Sequence, residues 1–165
     1  DILKLDPDGI MLSNGPGDPA DNTGVITEIA KLVQYNIDAQ ASGKKMVPIF
    51  GICLGHQLLA LARGCKTSKL KYGHRGGNHP VKEVETGRVF ITSQNHGYAV
   101  QCDNLPSFAK LAFYNSNDKT CEGITYTDIP AFSVQFHPEA CGGPHDTNFL
   151  FDKFIQNILT NKEAK

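Results

Sequence analysis

The sequence contains no tryptophan, only two methionines and no excess of either charge, 16 Lys+Arg standing against 17 Asp+Glu for a formal charge of −1. Such a balance does not suit a polybasic nucleic-acid binder or a membrane-surface anchor, and neither kind of partner is expected. No apolar run approaches the roughly 20 residues that span a bilayer. The opening Asp1-Ile2-Leu3-Lys4 has neither the basic leader nor the apolar core of a secretory signal. The five cysteines, at 53, 65, 102, 121 and 141, include no pair two or three residues apart, which argues against zinc ribbons and redox pairs. An odd, scattered set fits free thiols in a reducing compartment and leaves room for one reactive sulfur. None of the six histidines is four residues from another, so no metal is expected.

What is present suits one globular domain. The 165 residues are 40% hydrophobic and 20% charged, enough to bury about 70% of the unfolded surface. Gly9-Ile10-Met11-Leu12-Ser13 reads as a buried strand running into a stiff turn, Asn14-Gly15-Pro16-Gly17-Asp18-Pro19. Val25, Ile26, Ile29, Leu32, Val33 and Ile37 recur at helical spacing, with Gly43 beyond the last turn. Val47-Pro48-Ile49-Phe50 reads as a second buried strand, and Leu58-Leu59-Ala60-Leu61-Ala62 as a helix stopped by Gly64. That order argues for an α/β layer with a parallel sheet. Residues 66–70, 79–84 and 88–93 alternate between glycines and suggest antiparallel strands, continued by 109–114, 123–126 and 131–136. A helical stripe of Leu150, Phe151, Phe154, Ile155, Ile158 and Leu159 closes the chain, with Asp146 or Thr147 as its cap.

The chemistry concentrates in Phe50-Gly51-Ile52-Cys53-Leu54-Gly55-His56-Gln57. A buried strand enters Gly-x-Cys-x-Gly and a helix follows, the nucleophile-elbow arrangement with sulfur in place of a serine oxygen. The glycines permit a sharp turn, and the helix N-terminus favours negative charge on the sulfur. The Leu54 amide is placed to receive an oxyanion. A lone cysteine is more often a small core residue, and Cys65, Cys102, Cys121 and Cys141 are read that way. For Cys53 the flanking glycines reverse the balance. Gln135-Phe136-His137-Pro138-Glu139 supplies the proton donor. His137 and Glu139 share one face of an extended segment, so Glu139 can orient the imidazole. A surface turn is the plain alternative for that tripeptide, as ordinary turn chemistry is for the 13–19 loop and for Gln94-Asn95-His96-Gly97-Tyr98. The 13–19 loop lacks the ending of a phosphate loop and reads better as bare backbone approaching a ligand.

Taken together, residues 12–19, residues 51–57, Gly73-His74-Arg75-Gly76-Gly77-Asn78-His79-Pro80, Asn95-His96-Gly97-Tyr98 and Phe136-His137-Pro138-Glu139 resemble the class I (triad) glutamine amidotransferases. Within them the likeness is to the glutaminase domain or small subunit of glutamine-dependent carbamoyl-phosphate synthase, favoured by the 73–80 stretch, Asn95-His96-Gly97-Tyr98 and Gly143-Pro144-His145-Asp146. The resemblance implies a three-layer, mostly parallel central sheet with flanking helices plus a small antiparallel sheet, lacking its first strand-helix-strand unit, so that residues 1–165 form an N-terminally incomplete domain. It implies Cys53 as nucleophile, His137 as acid and base, Glu139 as its orienting partner, and Leu54, Gly15 and Gly17 as oxyanion donors. It assigns Gln57, Asn95, Gly97 and Tyr98 to L-glutamine. Ammonia would pass to a synthetase large subunit or fused synthetase domain that uses ATP and bicarbonate, the glutaminase domain itself needing no cofactor. A cytoplasmic or mitochondrial location would follow. A catalytically silent docking or regulatory module of the same fold, another class I glutaminase and another cysteine hydrolase remain the competing readings.

Overall fold

The computed structural model describes residues 1–140 and 147–163. Its frame is a mixed seven-stranded sheet, comprising β1 (Ile10–Leu12), β2 (Ile49–Ile52), β3 (Thr67–Glu83), β4 (Val89–Val100), β5 (Ala109–Asn115), β6 (Cys121–Tyr126) and β7 (Ala131–Val134), in the order β1-β2-β7-β6-β5-β3-β4. Among the described residues three α-helices pack on it: α1 (Thr23–Ala41), α2 (Leu54–Ala62) and α3 (Phe149–Glu163). β1, β2 and β7 run parallel, and every other neighbouring pair is antiparallel.

Alternation along the strands divides the core into two faces. Ile49 and Ala131 join Ile29 and Val33 of α1 and Leu58 and Leu59 of α2 on one side. Phe50, Ile52, Phe132 and Val134 join Leu150 and Phe154 of α3 on the other. Helices on both faces make the expected three layers. Phe50 and Phe132 stack with centroids 4.4 Å apart, and the Phe154 ring lies 5.8 Å from Phe50. On α1 the buried positions Ile29, Val33, Asn36 and Ala39 follow helical spacing. Asn36 is polar but satisfied: its side chain donates to the Val47 carbonyl at 2.8 Å and accepts from the Val47 amide at 2.7 Å. This clamp fixes the chain as it enters β2.

Several details differ from the sequence expectation. The strand expected over 88–93 continues to Val100, so Gln94-Asn95-His96-Gly97-Tyr98 lies inside β4 and is neither a segment after the strand nor a turn. β2 begins two residues later than Val47, because Pro48 has no N–H to give a ladder. The segments expected at 66–70 and 79–84 belong, apart from Lys66 and Val84, to one long strand, β3. Gly73 (φ 71°) and Gly76 (φ 114°) let it bend and shift register against β4 without ending it. The antiparallel strands also do not form a separate small sheet: β6 pairs with β7 and carries them into the parallel unit. Cys141, the 143–146 stretch and Asp146 as a cap lie outside the described residues. Cys53, Cys65, Cys102 and Cys121 are all free. Among the described residues no helix is long and apolar enough to cross a membrane.

Candidate active site

The site forms where the parallel strands end. β1 leads into the 13–19 loop, β2 into Cys53 and β7 into Gln135-Phe136-His137, so three sequence-distant segments emerge side by side at the carboxyl edge of one sheet. Cys53 follows β2 directly, its amide donating to the Val134 carbonyl at 2.9 Å. Its backbone stands at φ 53°, ψ −106°, a conformation that side-chain-bearing residues avoid. Both neighbouring glycines are sterically required. A Cβ on Gly51 would stand 2.9 Å from the Gly55 backbone, and one on Gly55 only 2.1 Å from the Leu12 carbonyl oxygen. A Cβ on Gly15 would meet the Leu54 side chain at 2.7 Å, so the 13–19 loop lies tight against the first residue of α2. Leu54 is the first helical residue, and an amide at that position has no partner within its own helix.

His137 sits beside this sulfur. Its Nδ1 lies 2.8 Å from Glu139 Oε1, which leaves Nε2 for Cys53. Hydrogen bonding to Cys53, and secondly to Glu139, pushes the His137 pKa up to about 10 against the opposing effect of burial. Burial works to raise the Glu139 pKa, but its hydrogen bond and attraction to His137, together with a backbone hydrogen bond, hold it below the usual carboxylate range. The imidazole is therefore charged, set between sulfur and carboxylate. His56, although next to the elbow, has a different character. Fully buried with Nδ1 2.7 Å from the Ser133 hydroxyl, it is pushed by desolvation down to about 3 and stays neutral.

A cavity of about 410 Å³ opens over Cys53 and His137. All four residues expected to bind substrate line it, Gln57, Asn95, Gly97 and Tyr98, as do two of the three expected oxyanion donors, Gly15 and Gly17. Of the remaining expected residues, Leu54 lies under Gly15 and Glu139 behind His137. Gln57 has both N–H groups engaged, donating to the Tyr98 carbonyl at 2.7 Å and to Gln135 Oε1 at 2.9 Å. A Cβ on Gly97 would meet nothing within 4 Å, so bare backbone faces open space there. Burial, and then the Asp18 carboxylate, raise the Tyr98 hydroxyl above its ordinary pKa.

Sequence reasoning assigned no role to Arg75, among the described residues the one permanently charged side chain on the cavity wall, nor to Gln135, whose Nε2 lies 3.7 Å from Cys53 Sγ. Arg75 arrives through the β3–β4 register, paired with Asn95; the 73–80 stretch that holds it carries the family resemblance but nothing in it marks a place on the cavity wall. A second group, His74, His96 and Glu122, brings three donor atoms within 4.8 Å and could hold a metal ion. Sequence spacing concealed it, since the three come from β3, β4 and β6.

An elbow cysteine, an adjoining His–Glu pair and an α/β sheet define the class, and the chain belongs to the class-I glutamine amidotransferase family, whose pattern matches residues 1–157. The carbamoyl phosphate synthase small chain of Fusobacterium nucleatum is 54% identical over 162 residues, covering 98% of this chain and 42% of that protein. The small chain from Akkermansia muciniphila is 51% identical, covering 98% and 41%. The chain thus spans about two fifths of the length of these relatives. Among solved structures, a candidate GMP synthase subunit from Thermoplasma acidophilum superposes with a TM-score of 0.78 at 24% identity, covering 98% of this chain and 78% of the other. A glutamine amidotransferase from Thermotoga maritima gives 0.58 at 23%, covering 94% and 69%. Those two likenesses concern the fold.

Proposed function

We propose that the chain is the glutaminase unit of a carbamoyl phosphate synthase. It hydrolyses the side-chain amide of L-glutamine and passes ammonia to a synthetase subunit or fused domain, where ATP and bicarbonate are consumed. The hydrolysis itself uses no cofactor. The observation that carries this reading is the strained elbow with His137 against its sulfur and Glu139 on the far ring nitrogen. The identity to carbamoyl phosphate synthase small chains supports the choice of branch.

In this reading the Cys53 thiolate attacks the amide carbon and the carbonyl π electrons move to oxygen. The oxyanion is met by the amide of Leu54 and those of Gly15 and Gly17. As the intermediate collapses, the C–N bond breaks and His137 gives its proton to the departing nitrogen, leaving ammonia and a glutamyl thioester. Water then loses a proton to His137, attacks the thioester carbon and expels the sulfur, releasing glutamate. The electrostatics suit this order. The largest cause of the raised His137 pKa is Cys53, and acylation removes the charge of that sulfur. The imidazolium becomes a better acid when the leaving nitrogen needs its proton. At the other end of the cavity, Arg75 answers the α-carboxylate. Gln57, with its NH₂ already engaged, offers Oε1 to the α-ammonium, and Asn95, Gly97 and Tyr98 complete the contact.

A silent docking module of the same fold has no use for a cysteine held in a conformation that costs about 1–3 kcal/mol. The deciding experiment treats the full-length protein, bound to its synthetase partner, with a glutamine-mimicking electrophile and maps the label. Modification of Cys53 with loss of glutamine hydrolysis is expected. A folded complex in which Cys53 stays unlabelled would overturn the reading.

A further inference from the structure

A buried polar cluster stands behind the cavity wall. His74 of β3, Gln94 and His96 of β4 and Glu122 of β6 form it, with Asp118 from the β5–β6 turn at its edge. Strand register brings them together, since His74 pairs with His96 and Gly76 with Gln94. Glu122 is 0% exposed, and a carboxylate in such a place persists only where its charge is answered. His74 answers it, with Nδ1 3.3 Å from Glu122 Oε1 while Nε2 donates to Asp118 Oδ2 at 2.8 Å.

From this pair a line of polar contacts runs to the nucleophile. His74 Nδ1 lies 3.0 Å from Gln94 Oε1 and 3.2 Å from His96 Nε2. His96 Nε2 lies 2.8 Å from Gln94 Oε1, and His96 Nδ1 donates to the Tyr98 carbonyl at 2.7 Å. That carbonyl also receives Gln57 Nε2, which donates in addition to Gln135, and Gln135 Nε2 reaches toward Cys53 Sγ. Neither Glu122 nor His74 lines the cavity, whereas His96, Tyr98 and Gln57 do.

We propose that Glu122 and His74 are positioning residues for the substrate cavity, holding His96 and, through it, the Tyr98 carbonyl and the Gln57 amide in ligand-binding orientation. The inference rests on the glutaminase reading for the identity of the ligand. The Tyr98 carbonyl has two donors, and if His96 shifts, that carbonyl can turn and release Gln57. Substrate affinity then suffers. The Cys53–His137–Glu139 set stands on the ends of β2 and β7, so the chemical step does not.

The test uses the full-length protein with its synthetase partner. Glu122→Leu and His74→Leu are expected to raise KM for glutamine about tenfold while kcat stays within about twofold. Glu122→Gln keeps the shape and one hydrogen-bonding oxygen, and is expected to restore a near wild-type KM. Should a leucine variant fail to fold, Glu122→Asp, which shortens the reach toward His74, takes its place with the same expected rise. Histidine nitrogen NMR without substrate reads the positioning directly, and the His96 signals should move in the variants that raise KM. Unchanged KM with unmoved His96 signals overturns the proposal. So does a fall in kcat at constant KM. One equivalent of divalent metal held by wild type and lost in Glu122→Gln also overturns it, because the three donors would then be ligands. A wild-type protein that leaves glutamine intact sinks the glutaminase reading instead, and the NMR comparison still decides the positioning.

Discussion

Cys53 occupies backbone space suited to glycine, and the price of that placement is separable from its chemistry. Cys53→Gly relieves the strain and Cys53→Ala keeps it, so the glycine variant should be about 1–2 kcal/mol more stable than the alanine variant in denaturant unfolding, with glutamine hydrolysis lost in both. Equal stabilities would mean that the elbow carries no strain. The ion pair offers a second prediction at this scale. With the sulfur removed in Cys53→Ala, an NMR titration should find the His137 pKa well below its value of about 10 but still above 6.5, because Glu139 continues to raise it. An unchanged pKa would assign the shift to Glu139 alone. The nucleophile was legible in the sequence because an elbow is local, two glycines around one cysteine between a strand and a helix. Arg75 and Gln135 were not, because their meaning depends on which strands lie beside which.

Elements place the site by ending together. α2 can start against β1 only because Gly55 has no side chain. Gly55→Ala forces a Cβ to within 2.1 Å of the Leu12 carbonyl oxygen. Unlike the end of a flexible side chain, that backbone atom cannot step aside cheaply, so a loss of about 3 kcal/mol or more is expected in denaturant unfolding. A neutral result would show that α2 moves freely on the sheet. The β3–β4–β6 cluster should be visible in the pH dependence of stability. Glu122, and then Asp118, raise His74 to about 9 against its burial, with His96 also beside it and the His79 ring 5.1 Å away. The folded value lies above the unfolded one of 6.5, so this contribution is fully present below about pH 6.5 and is lost as pH rises through about 9. Calorimetric melting temperatures of wild type should therefore fall across that window more steeply than those of His74→Gln. Parallel slopes would remove His74 from the account. Helices α1 and α3 were legible from periodicity, but β3 was not. Its two glycines at positive φ resemble strand ends, and only pairing with β4 shows that the strand continues.

At the scale of the whole molecule, the chain matches about two fifths of relatives whose names describe them as small chains, and the proposed product, ammonia, is useful only if a second active site receives it. Ammonia released into water takes up a proton and stops being a nucleophile, so the proposed transfer requires a sheltered route between the two sites. This makes coupling measurable. In the assembled full-length complex, unlabelled glutamine supplied together with excess isotopically labelled ammonium should give carbamoyl phosphate whose nitrogen comes almost entirely from glutamine. Cys53→Ser in the same complex should reverse the source, since synthesis from external ammonia survives while the glutamine-dependent route does not. Dilution of the product label in proportion to bulk ammonium, with wild-type glutamine turnover intact, would mean that hydrolysis at Cys53 discharges to solvent. The elbow would then serve a free glutaminase instead of a synthase.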